Sequence, residues 1–181
     1  MRKVTKTVKV ELLPYWELPL DDQELVAIAI RARRNAQTHL SHYAVGAAIR
    51  SESGKFYYGC NVERTSYTQT THAEQNAVDS MIAEEGPAKI AAMAIVGAPE
   101  GEEIEIPINP EAKDGCKVGG FCFACGHCLQ IVWENCMADP KVRLLLLTPW
   151  GEAARTTIGH AFPMPFGPES LGIDIRRGEK G

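Results

Sequence analysis

Two short stretches carry residue types suited to holding a metal ion: T-H-A-E-Q-N-A at residues 71–77 and F-C-F-A-C-G-H-C at 121–128. In the first, His72 and Glu74 stand two apart where a helical pattern begins. By itself that is an ordinary polar helix entry, because a carboxylate suits the positive end of the helix dipole. In the second, Cys125 and Cys128 stand three apart, a spacing that sends both sulfurs from one helical face. Zinc takes about four ligands from imidazole nitrogen and thiolate sulfur, and a reactive site leaves one position for water. His72, Cys125 and Cys128 would supply three ligands, and two thiolates with a neutral imidazole would balance the dication. A helix start also favours thiolates. Glu74 need not bind the metal and is free to face the water.

The elements needed to position these groups are legible in the surrounding pattern. Leu25, Ile28, Ala29, Ala32 and Ala36 repeat at helical spacing after Asp21, and Asp21 with Glu24 resembles a capping box. Residues 44–50 and 55–59 read as a hairpin around S-E-S-G. A helix is expected at 73–84, burying Ala73, Ala77, Val78 and Met81 with Ile82 at the margin, and stopping at Gly86-Pro87. K-I-A-A-M-A-I-V at 90–97 has strand length. Residues 125–137 form a further helical pattern, with Cys125, Cys128, Leu129, Val132, Trp133 and Cys136 on one side. R-L-L-L-L-T at 143–148 reads as a buried strand. Strands flanking helices argue for a sheet covered on both faces and partly parallel.

The chain has 181 residues, a formal charge of -4 and 23% charged residues. That is enough for one domain with a core and gives no footprint for a nucleic-acid polymer. Residues 1–20 are expected to be an arm or short strand, 21–175 a single domain, and 176–181 a tail. The first ten residues, M-R-K-V-T-K-T-V-K-V, carry four cations and no acid. No signal-peptide core follows and no run is long enough to span a membrane, so a cytoplasmic protein is expected. The six cysteines, at 60, 116, 122, 125, 128 and 136, are too clustered for a disulfide framework. Residues 98–120 read as one long loop. Glu100, Glu102, Glu103, Glu105, Glu111 and Asp114 there face one lysine, Lys113, and the loop is expected beside the pocket mouth.

An H-x-E followed by P-C-x-x-C is the signature of zinc deaminases of nucleobases, here with Ala124 at the proline position. The sequence resembles the cytidine deaminases acting on free nucleosides. S-H-Y-A-V-G-A-A at 41–48 is similar to that family's S-x-F-x-V-G-A-A, and G-C-N-V-E-R-T-S-Y at 59–67 to its G-C-N-x-E-x-x-S-Y. C-G-H-C-L-Q at 125–130 is similar to C-G-x-C-R-Q, and P-F-G-P-E-S-L at 165–171 to F-G-P-x-x-L. The motifs occur in family order from about residue 22 to 171. The resemblance implies a three-layer α/β fold, a mixed five-stranded sheet with helices on both faces, and a homo-oligomer, dimer or tetramer. It implies hydrolysis of cytidine or deoxycytidine to the uridine compound and ammonia, in pyrimidine salvage, with zinc as cofactor and a small nucleoside as partner. By position, His72, Cys125 and Cys128 would hold zinc and Glu74 would move protons. Asn61 and Glu63 would bind sugar hydroxyls, the Ala73 backbone and Tyr43 would meet the base, and Phe166 would close a neighbour's pocket.

Other readings of these residues stay open. Asn61 and Glu63 by themselves read as a turn and a solvated strand end, and Tyr43 and Phe166 as core or interface aromatics. Cys60 and Cys136 read as small buried hydrophobes, and nothing assigns Cys116 a role. Cys122 could complete a closed, structural zinc site, making the chain a non-catalytic zinc module. Tyr43 for phenylalanine, Leu129 for arginine and the long acidic loop leave room for a bulkier or modified cytosine substrate. Some members pair three cysteines with an arginine just after the glutamate. Histidine and Gln75 replace one thiolate and that arginine here, which keeps the charge balanced.

Overall fold

Three central strands alternate so that each serves two cores. In β4 (Ile90–Pro99), Ala92, Ala94 and Val96 face one side while Met93 and Ile95 face the other. In β5 (Arg143–Leu147), Leu145 and Leu147 join the first side, and Leu144 and Leu146 the second. β2 (Tyr43–Ser51) contributes Ala48 to one core and Ala47 and Ile49 to the other. Helix α1 (Leu20–Arg33) covers the first face, with Leu25, Val26, Ile28 and Ala29 in its core. Helices α2 (Ala73–Glu85) and α3 (Gly126–Asn135) cover the second. A strand buried on both sides must be apolar throughout, which is why K-I-A-A-M-A-I-V and R-L-L-L-L-T show no alternation of polarity.

This computed structural model describes residues 2–104, 106 and 120–173. Cys116, most of the 98–120 segment and the 176–181 tail lie outside the described residues. The sheet order is β1-β6-β5-β4-β2-β3, with β1 at Glu11–Pro14, β3 at Phe56–Cys60 and β6 at Glu152–Thr157. Among the described strands only β4 and β5 pair in parallel, with Ala94 opposite Leu145, and α3 lies in the crossover between them. The sheet therefore has six strands where five were expected. The extra one is β1, a four-residue edge strand inside the N-terminal arm that pairs with β6. A short helix, α4 (Ile158–Ala161), follows β6. Among the described residues no helix is long and apolar enough to cross a membrane.

The expected capping box is not used. α1 starts one residue earlier, at Leu20, with extended Pro19 as its cap and no side-chain capping bond. Asp21 is thereby inside the first turn and pairs with Arg50 at 2.6 Å, while buried Asp22 pairs with Arg143 at 3.0 Å. Ala36 falls beyond the helix end. α1 comes unusually near the sheet because β2 carries Gly46 beneath it. A Cβ there would press on the Ala29 carbonyl oxygen and stand 2.5 Å from the Arg33 nitrogen, both backbone atoms that cannot turn aside. Gly46→Ala is therefore expected to lower the unfolding free energy by about 1–3 kcal/mol, as overpacking does. Urea denaturation followed by circular dichroism measures it, and unchanged stability would show that α1 can ride outward freely.

Candidate metal and active site

The two helices on the second face begin at the same place. His72 is the N-cap of α2 and Cys125 the N-cap of α3, both with extended backbone and neither spending its side chain on capping. The imidazole and thiol are left free to point at each other, joined by Cys128 from the first turn of α3. His72 Nδ1 lies 3.3 Å from Cys128 Sγ and 3.4 Å from Cys125 Sγ, and the two sulfurs are 3.6 Å apart. A tetrahedral zinc with ordinary bond lengths sets its N and S ligands about 3.6 Å apart and two S ligands about 3.8 Å apart. The spacing fits. Among the described residues these three form the group able to hold a metal, and Cys122 is outside it. A site with three protein ligands is the open kind, so the closed module built on Cys122 loses its fourth ligand.

Charge makes the same demand. Burial, then Glu74, then Cys125 push the Cys128 thiol far up from its ordinary value. The helix start alone would lower it, and here it is outweighed. A thiolate at this buried position therefore needs a cation upon it. Glu74, in the first turn of α2, is only 6% exposed. Burial raises its carboxyl pKa, opposed by hydrogen bonds from its own backbone N–H and Cys128 and by the nearby His72 and His127. The site thus holds a carboxyl biased towards keeping a proton, beside the metal ligands and not among them.

The other expected site residues have their own surroundings. Ala73 is buried as the first residue of α2. Tyr43 begins β2 opposite Pro99. Burial and Cys122 raise the Tyr43 hydroxyl pKa, and Arg33 counters them. The hydroxyl meets the Cys122 thiol, itself raised to about 11 by burial and by Glu74. Gly97 makes room for this pair: a Cβ there would lie 2.7 Å from the Cys122 sulfur and 2.9 Å from the Tyr43 ring. Asn61 accepts from the Val45 amide at 2.8 Å and donates to the Tyr43 carbonyl at 2.9 Å. Glu63 is buried and accepts from the Leu40 amide at 2.8 Å, the Ser41 amide at 3.1 Å and the Ser41 hydroxyl. Burial raises its pKa, but those three bonds prevail and hold it low. Neither residue is a free strand end; both are held by bonds to neighbouring backbone. Phe166 is 60% exposed, and its carbonyl accepts from Gln130 at 2.6 Å.

Sequence reasoning passed over Ser41, His127 and Arg33. Ser41 opens a quoted motif. His127 stacks edge-on to His72 with centroids 5.9 Å apart and lies 3.4 Å from Gln75. Arg33 had a signal: with Leu25 and Ala29 it continues the buried stripe of α1 at a spacing of four, an odd place for a cation. The described start of the acidic loop is not bare charge, since Glu100 lies 3.1 Å from His42 and Glu103 3.6 Å from Arg34.

A family profile described as the cytidine and deoxycytidylate deaminase zinc-binding region matches residues 19–142. The chain belongs to that deaminase family. It is a zinc-dependent hydrolytic deaminase, and zinc is the metal that the His72, Cys125 and Cys128 set fits. The cytidine deaminase of Sporosarcina psychrophila is 31% identical over 152 residues, covering 84% of this chain and 96% of that one. That of Halalkalibacterium halodurans is also 31% identical, over 84% of this chain and 98% of its own. Against the Proteus mirabilis cytidine deaminase, 30% identical, this chain spans 42% of the relative's length. The crystal structure of cytidine deaminase from Burkholderia pseudomallei superposes with a TM-score of 0.63 at 30% identity, covering 79% of this chain and 97% of that one.

Metal analysis separates the sulfurs. Cys122→Ser is expected to retain about one zinc per chain and Cys128→Ser to lose it; zinc lost from Cys122→Ser would break the three-ligand assignment.

Proposed function

We propose that this deaminase converts cytidine or deoxycytidine to uridine or deoxyuridine plus ammonia, with His72, Cys125 and Cys128 holding zinc and Glu74 moving the protons. The observation that carries the reading is the buried Glu74 carboxyl beside a set of only three metal ligands. Bound zinc supplies Lewis-acid activation of a water at neutral pH. Glu74 takes a proton from the water and gives it to ring N3 as the water oxygen bonds to C4. It then passes the second proton to the exocyclic amine, the C4–N bond breaks, and ammonia leaves. Burial biases its carboxyl towards holding a proton, which suits return of that proton to the leaving amine.

Asn61 and Glu63 are proposed for the sugar hydroxyls, using acceptor capacity left beyond their internal bonds. Tyr43 and the Ala73 backbone are proposed for the base. The exposed Phe166 ring suits closure of a neighbouring subunit's pocket, and with it a homo-oligomer, dimer or tetramer. All five described cysteines are free, which suits a reducing cytoplasm and a role in pyrimidine salvage. A second substrate reading, a bulkier or modified cytosine compound, is favoured by the Tyr43 hydroxyl and Cys122 thiol, which give the pocket wall polar groups.

Glu74→Gln tests the central assignment. It is expected to lower turnover of cytidine, followed by ultraviolet absorbance and ammonia release, by about 10² to 10⁴-fold, at or beyond the upper end because one group serves several transfers. Zinc content and the folded spectrum should be unchanged. Retention of more than about a tenth of wild-type activity would remove Glu74 from the mechanism.

A further inference from the structure

Arg33 is the one long cation that α1 sends into the protein. It is 6% exposed, and its guanidinium meets backbone carbonyls: Ala44 at 3.0 Å through Nε, Glu102 at 2.9 Å through Nη1, and Ala98 and Pro99 at 3.0 and 2.6 Å through Nη2. These carbonyls belong to the ends of two strands. Ala44 follows Tyr43 at the start of β2, Ala98 and Pro99 end β4, and Pro99 is the register partner of Tyr43. Glu102 lies in the acidic segment beyond. Where β2 begins and β4 ends, the Ala44 and Ala98 carbonyls are buried and those of Pro99 and Glu102 partly so, and a buried acceptor needs a donor. The planar guanidinium spans all four at once, which a lysine's single ammonium does not.

The other side of Tyr43 is already fixed. Its amide donates to the Ser41 hydroxyl at 3.1 Å, and its carbonyl accepts from Asn61. The amide of Glu100 donates to the carbonyl of His42 at 2.8 Å, and that of Glu102 to Pro99 at 3.2 Å. Arg33 therefore closes a ring of backbone contacts around the residue whose side chain faces Cys122 and Gly97. Gly46 is what lets the Arg33 backbone come down far enough to do so.

We infer that Arg33 is a positioning residue for the base pocket, setting the place of Tyr43 through the ends of β2 and β4 without touching the substrate. The inference rests on the reading of Tyr43 as a wall of that pocket. Removing the clamp should weaken substrate binding and leave the chemical step at Glu74 intact, which raises KM and spares kcat. A purely structural role would instead lower the melting temperature and the fraction of active enzyme, with KM per zinc-loaded site unchanged.

The test uses the full-length zinc enzyme with Arg33→Lys and Arg33→Gln, each normalised to bound zinc. KM for cytidine is expected to rise about tenfold, as when one or two hydrogen bonds from a charged donor are loosened, with kcat within about threefold. Lysine should not rescue. Hydrogen exchange should quicken at the Glu100 and Glu102 amides and stay slow along α2 and α3. Combined with Tyr43→Ala, Arg33→Lys should add little, because both changes act on one contact. Unchanged KM, full additivity with Tyr43→Ala, unchanged exchange at Glu100 and Glu102, or failure of both variants to fold would each overturn the inference. If the wild-type enzyme turned over no cytidine, the proposed substrate would fall, while the exchange pattern would still decide whether Arg33 clamps these strand ends.

Discussion

Three acidic groups, on Cys125, Cys128 and Glu74, are gathered at the starts of two helices, two of them buried. Two unit charges about 4 Å apart repel by roughly 4 kcal/mol at an effective dielectric of 20, so the cluster, when ionised, has to be answered by positive charge. Only a cation among the ligands can do that. The adjacent groups that soften it, His72 and His127, are shared between the helices. The fold is arranged to make the cluster possible: α2 and α3 lie side by side on one face of the sheet, and each begins on the same side of its ends. Each helix is capped by a metal-binding residue rather than by serine or aspartate, so some capping stability is exchanged for a coordination site.

Beyond that centre, several polar side chains fasten the chain by bonding to backbone. Asn61 bridges an amide and a carbonyl of β2, Glu63 gathers the turn at Leu40 and Ser41, and Arg33 ties the ends of β2 and β4 to the loop beyond. Backbone held in this way is stiffer than backbone resting on apolar contacts. Moving it strands a buried donor or acceptor at once, whereas apolar groups can slide. Polar side chains at the ends of elements and on loops here hold the backbone as packing does in the core.

The parts of this arrangement that could be read in the sequence are those whose signal is local. His72, Glu74, Cys125 and Cys128 each sit at a helix start announced by periodicity, and two-sided burial of β4 and β5 shows as unbroken apolar runs. β6 was not legible, and β1 is only one of two readings of residues 1–20. E-A-A-R-T-T has no alternation strong enough to mark a strand, and Glu11–Pro14 becomes one only because β6 offers it an edge. The capping box failed because Pro19 starts the helix first, and Asp21 and Asp22 were needed for ion pairs with residues far along the chain. The internal bonding of Asn61 and Glu63 likewise depends on a loop some twenty residues earlier, which no local pattern encodes.

The parallel pairing of β4 with β5 has a consequence for how the molecule comes together. All other strand neighbours are antiparallel, and the β2–β3 hairpin closes across a tight turn. Parallel neighbours need a long crossover, here the whole acidic segment and α3, and the entropy of closing it must be met before contacts reward it. The hairpin with α1 and α2 is therefore the natural early assembly, and His72 is present in it. Cys125 and Cys128 lie beyond that crossover, on α3. The coordination site thus joins a part of the chain before the crossover to a part after it, and holding an ion requires both to be in place.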